Sequence, residues 1–283
     1  MSGRRSRPTP VTATTEQEAG LYDTVVVPRY SSLFAQMILR EIPEGAHATV
    51  LDVGCGTGHP TFEVLRKLEP GGRVVAIDRD MALVELARRK ALDLAGKRLF
   101  FKVGWAEDLE FGDGVFDIVV GNLVASQFEM PGDALAEMKR VLVPGGKLLL
   151  TRALDDTFEE ILDTFREVSL RLDLPAVQQR ADAVATRYPS AQAFANQVRA
   201  AGFESVEVEE DVFRLPFRSA REIFDDPLLR FVGLAEWRWV AGLDRAGTDV
   251  IEEVERSLDV YFAGGPLSLT VHAGLIKATA PGG

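Results

Sequence analysis

Residues 50–60 read VLDVGCGTGHP: an apolar run ends in an acid, and Gly54, Gly56 and Gly58 follow within five positions. Glycine costs conformational entropy, so three in alternation mark a backbone that must bend sharply or meet a ligand closely. Downstream, GGRVVAIDRD (71–80) is a turn and a second apolar run that ends on Asp78. From Gly54 to Asp78 is 24 residues (78 − 54), close to the spacing at which an acid meets ribose hydroxyls in nucleotide-binding folds. A dinucleotide fingerprint would need a glycine at position 59, which is His59, and no P-loop lysine is present. Both absences count against NAD and ATP sites of those types.

The pattern extends outward from this turn. ATVLDVG reads as a buried strand, and Pro60 is expected at the first helical position, with Phe62, Val64, Leu65 and Leu68 behind it. Asp80 suits the N-cap of a helix MALVELARRKALDLAG that Gly96 closes. RLFFKVG and FDIVVGN are the third and fourth strands, PGDALAEMKRVLVPGG a helix and turn, and KLLLTRAL the fifth strand. Strands alternating with helices predict parallel pairing through right-handed crossovers, with ligands at the carboxyl ends of the strands. Ahead of the first strand, Leu33, Phe34, Met37, Ile38 and Ile42 recur at helical spacing. In the second half, DTFEEILDTFREVSLRL puts Phe158, Ile161, Leu162, Phe165 and Val168 on one helical face, and SAQAFANQVRAAGF is a helix ended by Gly202. ESVEVEEDVFRL and PLSLTVHAGLIKATA are two further strands, separated by roughly 45 residues, too many for a tight hairpin.

The chain has 283 residues, 46% hydrophobic and 27% charged, and a formal net charge of −11. Those values suit a globular domain and argue against a broad nucleic-acid surface, which draws its affinity from Lys and Arg. A single cysteine, Cys55, cannot form an internal disulfide, which suits a reducing, cytoplasmic compartment. No apolar run reaches the length of a membrane span, and residues 1–19 lack the apolar core of a secretory signal and read as a disordered tail. No metal-ligand spacing is found; the acid run Glu209, Glu210, Asp211 reads as a solvated strand end.

Four blocks, VLDVGCGTG, VVAIDRD, VGWAEDLEFGDGVFDIVVGN and EMKRVLVPGGKLLL, occur in the order and spacing of the class I S-adenosylmethionine-dependent methyltransferases. The chain resembles that family over residues 48–152, most of all its ubiquinone/menaquinone C-methyltransferase and small-molecule members. The resemblance implies a Rossmann-like α/β fold: a seven-stranded, mostly parallel sheet with helices on both faces. Residues 20–283 would form one methyltransferase domain, with a helical cap from segments 155–188 and 219–262. It implies S-adenosylmethionine as cofactor. Gly54, Gly56 and Gly58 would let the backbone pass the amino-acid end, Asp52 would orient the ammonium, Asp78 would accept from both ribose hydroxyls, and the Ala106 N–H would read adenine. Cys55, Arg79, Glu107 and Asn122 complete the expected cofactor set.

Two departures stand out. Where relatives often place an adenine-binding Asp, this chain has Trp105; either Glu107 or Asp108 substitutes, Trp105 makes a ring contact, or it is an ordinary core Trp. After the fourth strand, Ser126 and Gln127 occupy positions where many relatives carry histidine. Of the three histidines, only His59 lies near the chemistry. Gln127, Tyr30 and His59 are therefore the candidates for acceptor positioning or proton transfer, with Glu129 and Tyr188 as further possible bases. A missing base tilts the acceptor toward groups already nucleophilic near neutral pH. Tyr22, Arg29 and Tyr30 are polar groups suited to hold cofactor or substrate, with a surface ion pair as the bland alternative for Arg29. Phe158, Phe165, Phe224, Phe231, Trp237 and Trp239 could line an apolar pocket or simply form core. The function expected is methyl transfer, by direct in-line displacement, to a small apolar or aromatic molecule. The alternatives are a protein or RNA methyltransferase and a catalytically inactive cofactor-binding scaffold. A homodimer is left open.

Overall fold

Val50, Leu51 and Val53 are all essentially inaccessible, so the first strand is covered on both faces, as a parallel sheet sandwiched by helices requires. The computed structural model describes residues 14–92, 98–243, 245–263 and 267–282. In chain order it has α1 (Glu16–Leu21), a π-helical segment (Tyr22–Ser31), α2 (Ser32–Glu41), β1 (Thr49–Val53), α3 (Thr61–Lys67), β2 (Arg73–Asp78) and α4 (Met81–Ala91). There follow β3 (Leu99–Val103), β4 (Phe116–Gly121), a 3-10 turn (Val124–Gln127), α5 (Pro131–Val141) and β5 (Leu142–Ala153). The remainder is α6 (Glu159–Arg171), α7 (Pro175–Ala185), α8 (Ala191–Ala200), β6 (Glu204–Phe217), α9 (Ala220–Asp225), α10 (Leu229–Val232), α11 (Leu234–Ala241), α12 (Arg245–Tyr261) and β7 (Leu267–Thr279).

The strands form one seven-stranded sheet in the order β3-β2-β1-β4-β5-β7-β6. All pairings are parallel except those of β7, which runs antiparallel between β5 and β6. The expected mostly parallel α/β sheet is therefore present. The order reverses between β1 and β4, which opens a crevice at the carboxyl ends there. No helix among the described residues is long and apolar enough to cross a membrane.

Local signals hold in part. Asp80 caps α4, accepting from the N–H groups of Ala82 and Leu83, and Gly202 ends the α8 turn at φ +84°. Gly96 lies outside the described residues. Pro60 sits one position earlier than expected, at the N-cap of α3, and Phe158 precedes α6 at φ +61° instead of lying on its face. Residues 1–13 of the expected tail lie outside the described residues, but Thr14–Ala19 are structured. Thr15 and Glu18 form a reciprocal capping box, Glu16 pairs with Arg89 at 2.9 Å, and the Thr14 N–H donates to Asp80 at 3.2 Å. These contacts to α4 hold a stretch that its polar composition alone would leave unstructured.

The helical periodicity before β1 is that of α2, which buries Phe34, Met37 and Ile38. Tyr22–Ser31 winds more widely and contains Pro28. Proline lacks an N–H and its ring clashes with the preceding turn of an α-helix; the wider coil relieves that conflict. The π segment is fastened on two sides. Lys90 and Thr57 both bond Asp23, at 2.6 and 2.5 Å, tying it to the glycine turn. Arg29 forks onto Asp226 through two bonds of 2.9 Å, tying it to the loop after α9.

The two segments 155–188 and 219–262 pack on each other. Arg180 donates to the Val240 carbonyl at 2.8 Å, Arg171 pairs with Glu253 at 2.9 Å, and Arg187 with Glu236 at 3.0 Å. Trp237 fills their centre, edge-on to Phe158 at 5.4 Å and Phe224 at 6.1 Å. Phe158, Phe165, Phe224 and Trp237 are thus core, not pocket wall; Trp239 is exposed, and Phe231 alone of the six faces the large cavity described below. Asp226 is almost fully buried and would lose its counter-charge in Arg29→Ala. Because Arg29 itself is partly solvated, the expected loss is about 1–2 kcal/mol. Urea unfolding of the variant measures it, and unchanged stability would show that this strap carries no load.

Candidate active site

A cavity of about 1160 Å³ opens at the carboxyl ends of β1, β2, β3 and β4 and runs beneath the π segment to the cap helices. Its floor is the turn after β1. The N–H groups of Gly54 and Cys55 both donate to the Ile77 carbonyl, at 2.8 and 2.9 Å, folding the turn onto β2. All three glycines have positive φ, but their surroundings differ. A Cβ on Gly54 would lie 2.5 Å from Val124, and one on Gly58 would lie 2.4 Å from the Phe62 ring. A Cβ on Gly56 meets nothing closer than Tyr22, at 3.6 Å. Gly54 and Gly58 therefore serve the chain's own packing, whereas Gly56 keeps space open on the cavity wall. Cys55 is buried beside this turn, its thiol pushed well above the ordinary value by burial, and it does not line the cavity.

Asp78 closes β2 and faces the cavity. One carboxylate oxygen accepts from the Gly56 N–H and the other from the Asp80 N–H, each at 2.9 Å. Burial raises its pKa, and these two bonds oppose the rise. The carboxylate is thus fixed in orientation with lone pairs to spare. Asp52 lies deeper. It is fully buried, accepts from the Thr61 hydroxyl at 2.5 Å through one oxygen, and has no hydrogen-bond partner for the other. Burial lifts its carboxyl to about 7; the Thr61 bond opposes this and Asp78 adds to it.

Around the ends of β2 and β3, the lining includes Arg79, Trp105, Ala106 and Glu107. Arg79 pairs with Glu129 at 3.6 Å, and Glu107 accepts the Glu129 N–H at 3.0 Å. Of the two acids that could replace an absent adenine acceptor, Glu107 lines the cavity, with one oxygen taken by the Glu129 N–H, and Asp108 does not line it. Asn122, at the end of β4, lines the cavity with both ends of its amide taken. It donates to the Ser31 carbonyl and hydroxyl at 3.0 and 2.9 Å and accepts from Thr151 at 2.8 Å. It is a brace between β4, β5 and the π segment.

The three candidates for acceptor chemistry separate. Tyr30 is buried against the cavity, and burial holds its hydroxyl well above the usual value, with Tyr188 and Tyr22 adding to the effect. Gln127 stands exposed at the rim, on the 3-10 turn. His59 lines a different, smaller surface cleft of about 470 Å³ with Asp23, Lys90 and Glu63, and its Nδ1 lies 3.1 Å from Glu63. No histidine among the described residues lines the large cavity. Arg29, bound to Asp226, is likewise absent from its lining. Tyr188, a possible base from the sequence, does line the end beneath the cap; sequence reasoning missed Arg152, Arg187 and Glu236, which line the same end. Only the position of Arg152 just past the apolar run of the fifth strand signalled it; the others depend on cap packing.

Asp52 offers a pH test. Its folded pKa lies above the unfolded value of 3.8, so the native state binds the proton more tightly between those limits. The carboxyl therefore subtracts stability as pH rises from about 4 to about 7, and by a constant amount above. Asp52→Asn keeps an acceptor for Thr61 and removes the charge. The stability of this variant minus that of the wild type is expected to grow from near zero at pH 4 to on the order of 4 kcal/mol at pH 8. Urea unfolding across that range checks it; a flat difference would show that the Asp52 carboxyl ionises normally.

A family described as a methyltransferase domain matches residues 44–215, more than half of the chain. Nocamycin O-methyltransferase from Saccharothrix syringae is 29% identical, over 89% of this chain and 92% of its own length. A ubiquinone/menaquinone biosynthesis C-methyltransferase from Stutzerimonas stutzeri is 30% identical over 56% of this chain, which spans 65% of that enzyme's length. Among solved structures, Haemonchus contortus phosphoethanolamine N-methyltransferase 2 in complex with S-adenosyl-L-methionine shares the fold, with a TM-score of 0.57 at 18% identity over 94% of this chain and 57% of that one. A matched methyltransferase domain whose glycine turn and Asp78 meet at the sheet's switch point makes this chain a member of the class I S-adenosylmethionine-dependent methyltransferases.

Proposed function

We propose that the cavity binds S-adenosylmethionine across the ends of β1, β2 and β3, and a small methyl acceptor against β4, β5 and the cap. The observation that carries this reading is the pairing of Asp78 with the N–H of Gly56, the glycine of the turn whose missing side chain leaves room on the cavity wall. Asp78 accepts from the ribose diol with its remaining lone pairs. The Ala106 N–H reads the adenine edge, Trp105 supplies ring contact, and Gly54 and Gly56 present backbone to the amino-acid end. Asp52, with one unpartnered oxygen, orients the ammonium through the turn. When bound, the cofactor supplies an electrophilic methyl group on a sulfonium, with a neutral thioether as leaving group.

The protein's own contribution is alignment and exclusion of water. Tyr22 of the π segment meets Phe231 of the cap edge-on at 5.8 Å, so the cavity is bounded from both sides. Val26, Val184, Phe231 and Val232 give its far end an apolar wall. Burial pushes the Tyr22 phenol up to about 12 and holds Tyr30 higher than its usual range, so these hydroxyls stay protonated at neutral pH. They orient an acceptor and do not deprotonate it. With no histidine in the lining either, the reading favours an acceptor that arrives nucleophilic. The nocamycin and menaquinone enzymes among the relatives support a small molecule, and a net charge of −11 weighs against RNA. The unbroken sheet supports one methyltransferase domain with a helical cap.

Calorimetry with S-adenosylhomocysteine tests the cofactor half. Asp78→Ala is expected to weaken binding at least roughly tenfold, about 1.4 kcal/mol, and Gly56→Val to abolish it while leaving a folded chain. Normal affinity in either variant would move the cofactor elsewhere. Release of labelled methyl groups to a metabolite extract tests catalysis; binding without any transfer would favour the scaffold alternative.

A further inference from the structure

Arg152 stands at the carboxyl end of β5 and lines the acceptor half of the cavity. Its Nε is buried with no hydrogen-bond partner, and its polar contact to the protein is a long one, 3.4 Å from Nη2 to the Arg187 carbonyl. The guanidinium lies 5.2 Å from the centroid of the Phe194 ring. Among the described residues no carboxylate pairs with it. The acid at this end of the cavity, Glu236, is held by Arg187 at 3.0 Å. Burial lowers the Arg152 pKa to about 10, with no acid to offset it, so the side chain is still a cation at neutral pH.

A partly desolvated cation without a counter-charge contributes little to a fold, and an apolar side chain of similar size would serve packing as well. Such a group is retained where a ligand supplies the missing charge. Two further donors border the same space: the hydroxyls of Tyr30 and Tyr188 stay protonated because burial raises both. The rest of that end is apolar, with Val184 and Phe231. From this juxtaposition of one unpaired guanidinium, two phenol donors and an apolar wall, we infer that the methyl acceptor is an apolar organic acid whose carboxylate is held by Arg152. The inference rests on the acceptor lying in this half of the cavity, as proposed above.

Titration of the S-adenosylhomocysteine-saturated protein with naphthalene-2-carboxylate and with the neutral 2-naphthamide tests it. The acid is expected to bind at least roughly tenfold tighter than the amide. Arg152→Met is expected to lose that preference, bind S-adenosylhomocysteine unchanged and melt no lower than the wild type, because it removes a desolvated charge. Arg152→Lys, which keeps the charge, is expected to retain part of the preference and guards against loss through misfolding of the first variant. Equal binding of acid and amide, no binding of the acid, or a preference that survives Arg152→Met would overturn the inference. Cofactor binding without acid preference would sink this inference and leave the methyltransferase reading standing. Acid preference that depends on Arg152 in a protein that fails to bind S-adenosylhomocysteine would leave Arg152 an acid-binding group and overturn both its role toward a methyl acceptor and the proposed cofactor site.

Discussion

Three backbone N–H groups in a row after β1 reach across to the end of β2: Gly54 and Cys55 to the Ile77 carbonyl, and Gly56 to the Asp78 carboxylate. This short set of bonds decides the shape of the site. It turns the chain back at the crevice between β1 and β4, aims the Asp78 carboxylate, and leaves the Gly56 backbone bare toward the cavity. The glycines make the turn feasible for different reasons. Val124 and Phe62 occupy the space beside Gly54 and Gly58, so the turn after β4 and α3 pack where side chains would otherwise be. Conformation and packing at this one corner are the same constraint seen from two sides.

The corner is braced from above. Asp23 links the π segment to the glycine turn through Thr57 and Lys90, and Asn122 links the same segment to β4 and β5. Arg29 and Asp226 then join it to the cap. A helix wound with α geometry through Pro28 would not present these residues in the same register. The roof over the cavity is therefore built from polar fasteners around a wide coil, and it joins parts of the chain far apart in sequence.

Charge is distributed unevenly along the cavity. Acids dominate the end near β2, where burial raises the pKa of Asp78, with Asp52 buried behind the wall. The end beneath the cap holds cations and protonated phenols, with Arg187 neutralised by Glu236 and Arg152 left without an acid. The order of strands places these ends on either side of the glycine turn. Along one cavity, Asp78 is buried and Arg152 is partly buried without an acid partner; groups held at such a cost are a common mark of a binding site.

The alternation of strands and helices, the glycine turn, Asp78 and the Asp80 cap were legible because each is a local pattern: periodicity and φ preference act over a few residues. The mostly parallel sheet followed from them. What local pattern could not decide was where distant side chains meet. His59 is next to the turn in sequence but points into another cleft, because the chain rotates into α3 there. Arg29 looked like a ligand group and is instead bound to Asp226, 197 residues away. The aromatic residues of the cap read equally well as pocket or core, and the packing of α6 and α7 on α11 and α12 made Phe158 and Trp237 core while leaving Phe231 at the wall. Arg152 stood out only once burial and the absence of a neighbouring acid could be seen. Local backbone chemistry specified the end of the cavity at the glycine turn; the end beneath the cap exists only where segments far apart in the chain converge, so it was decided by tertiary packing.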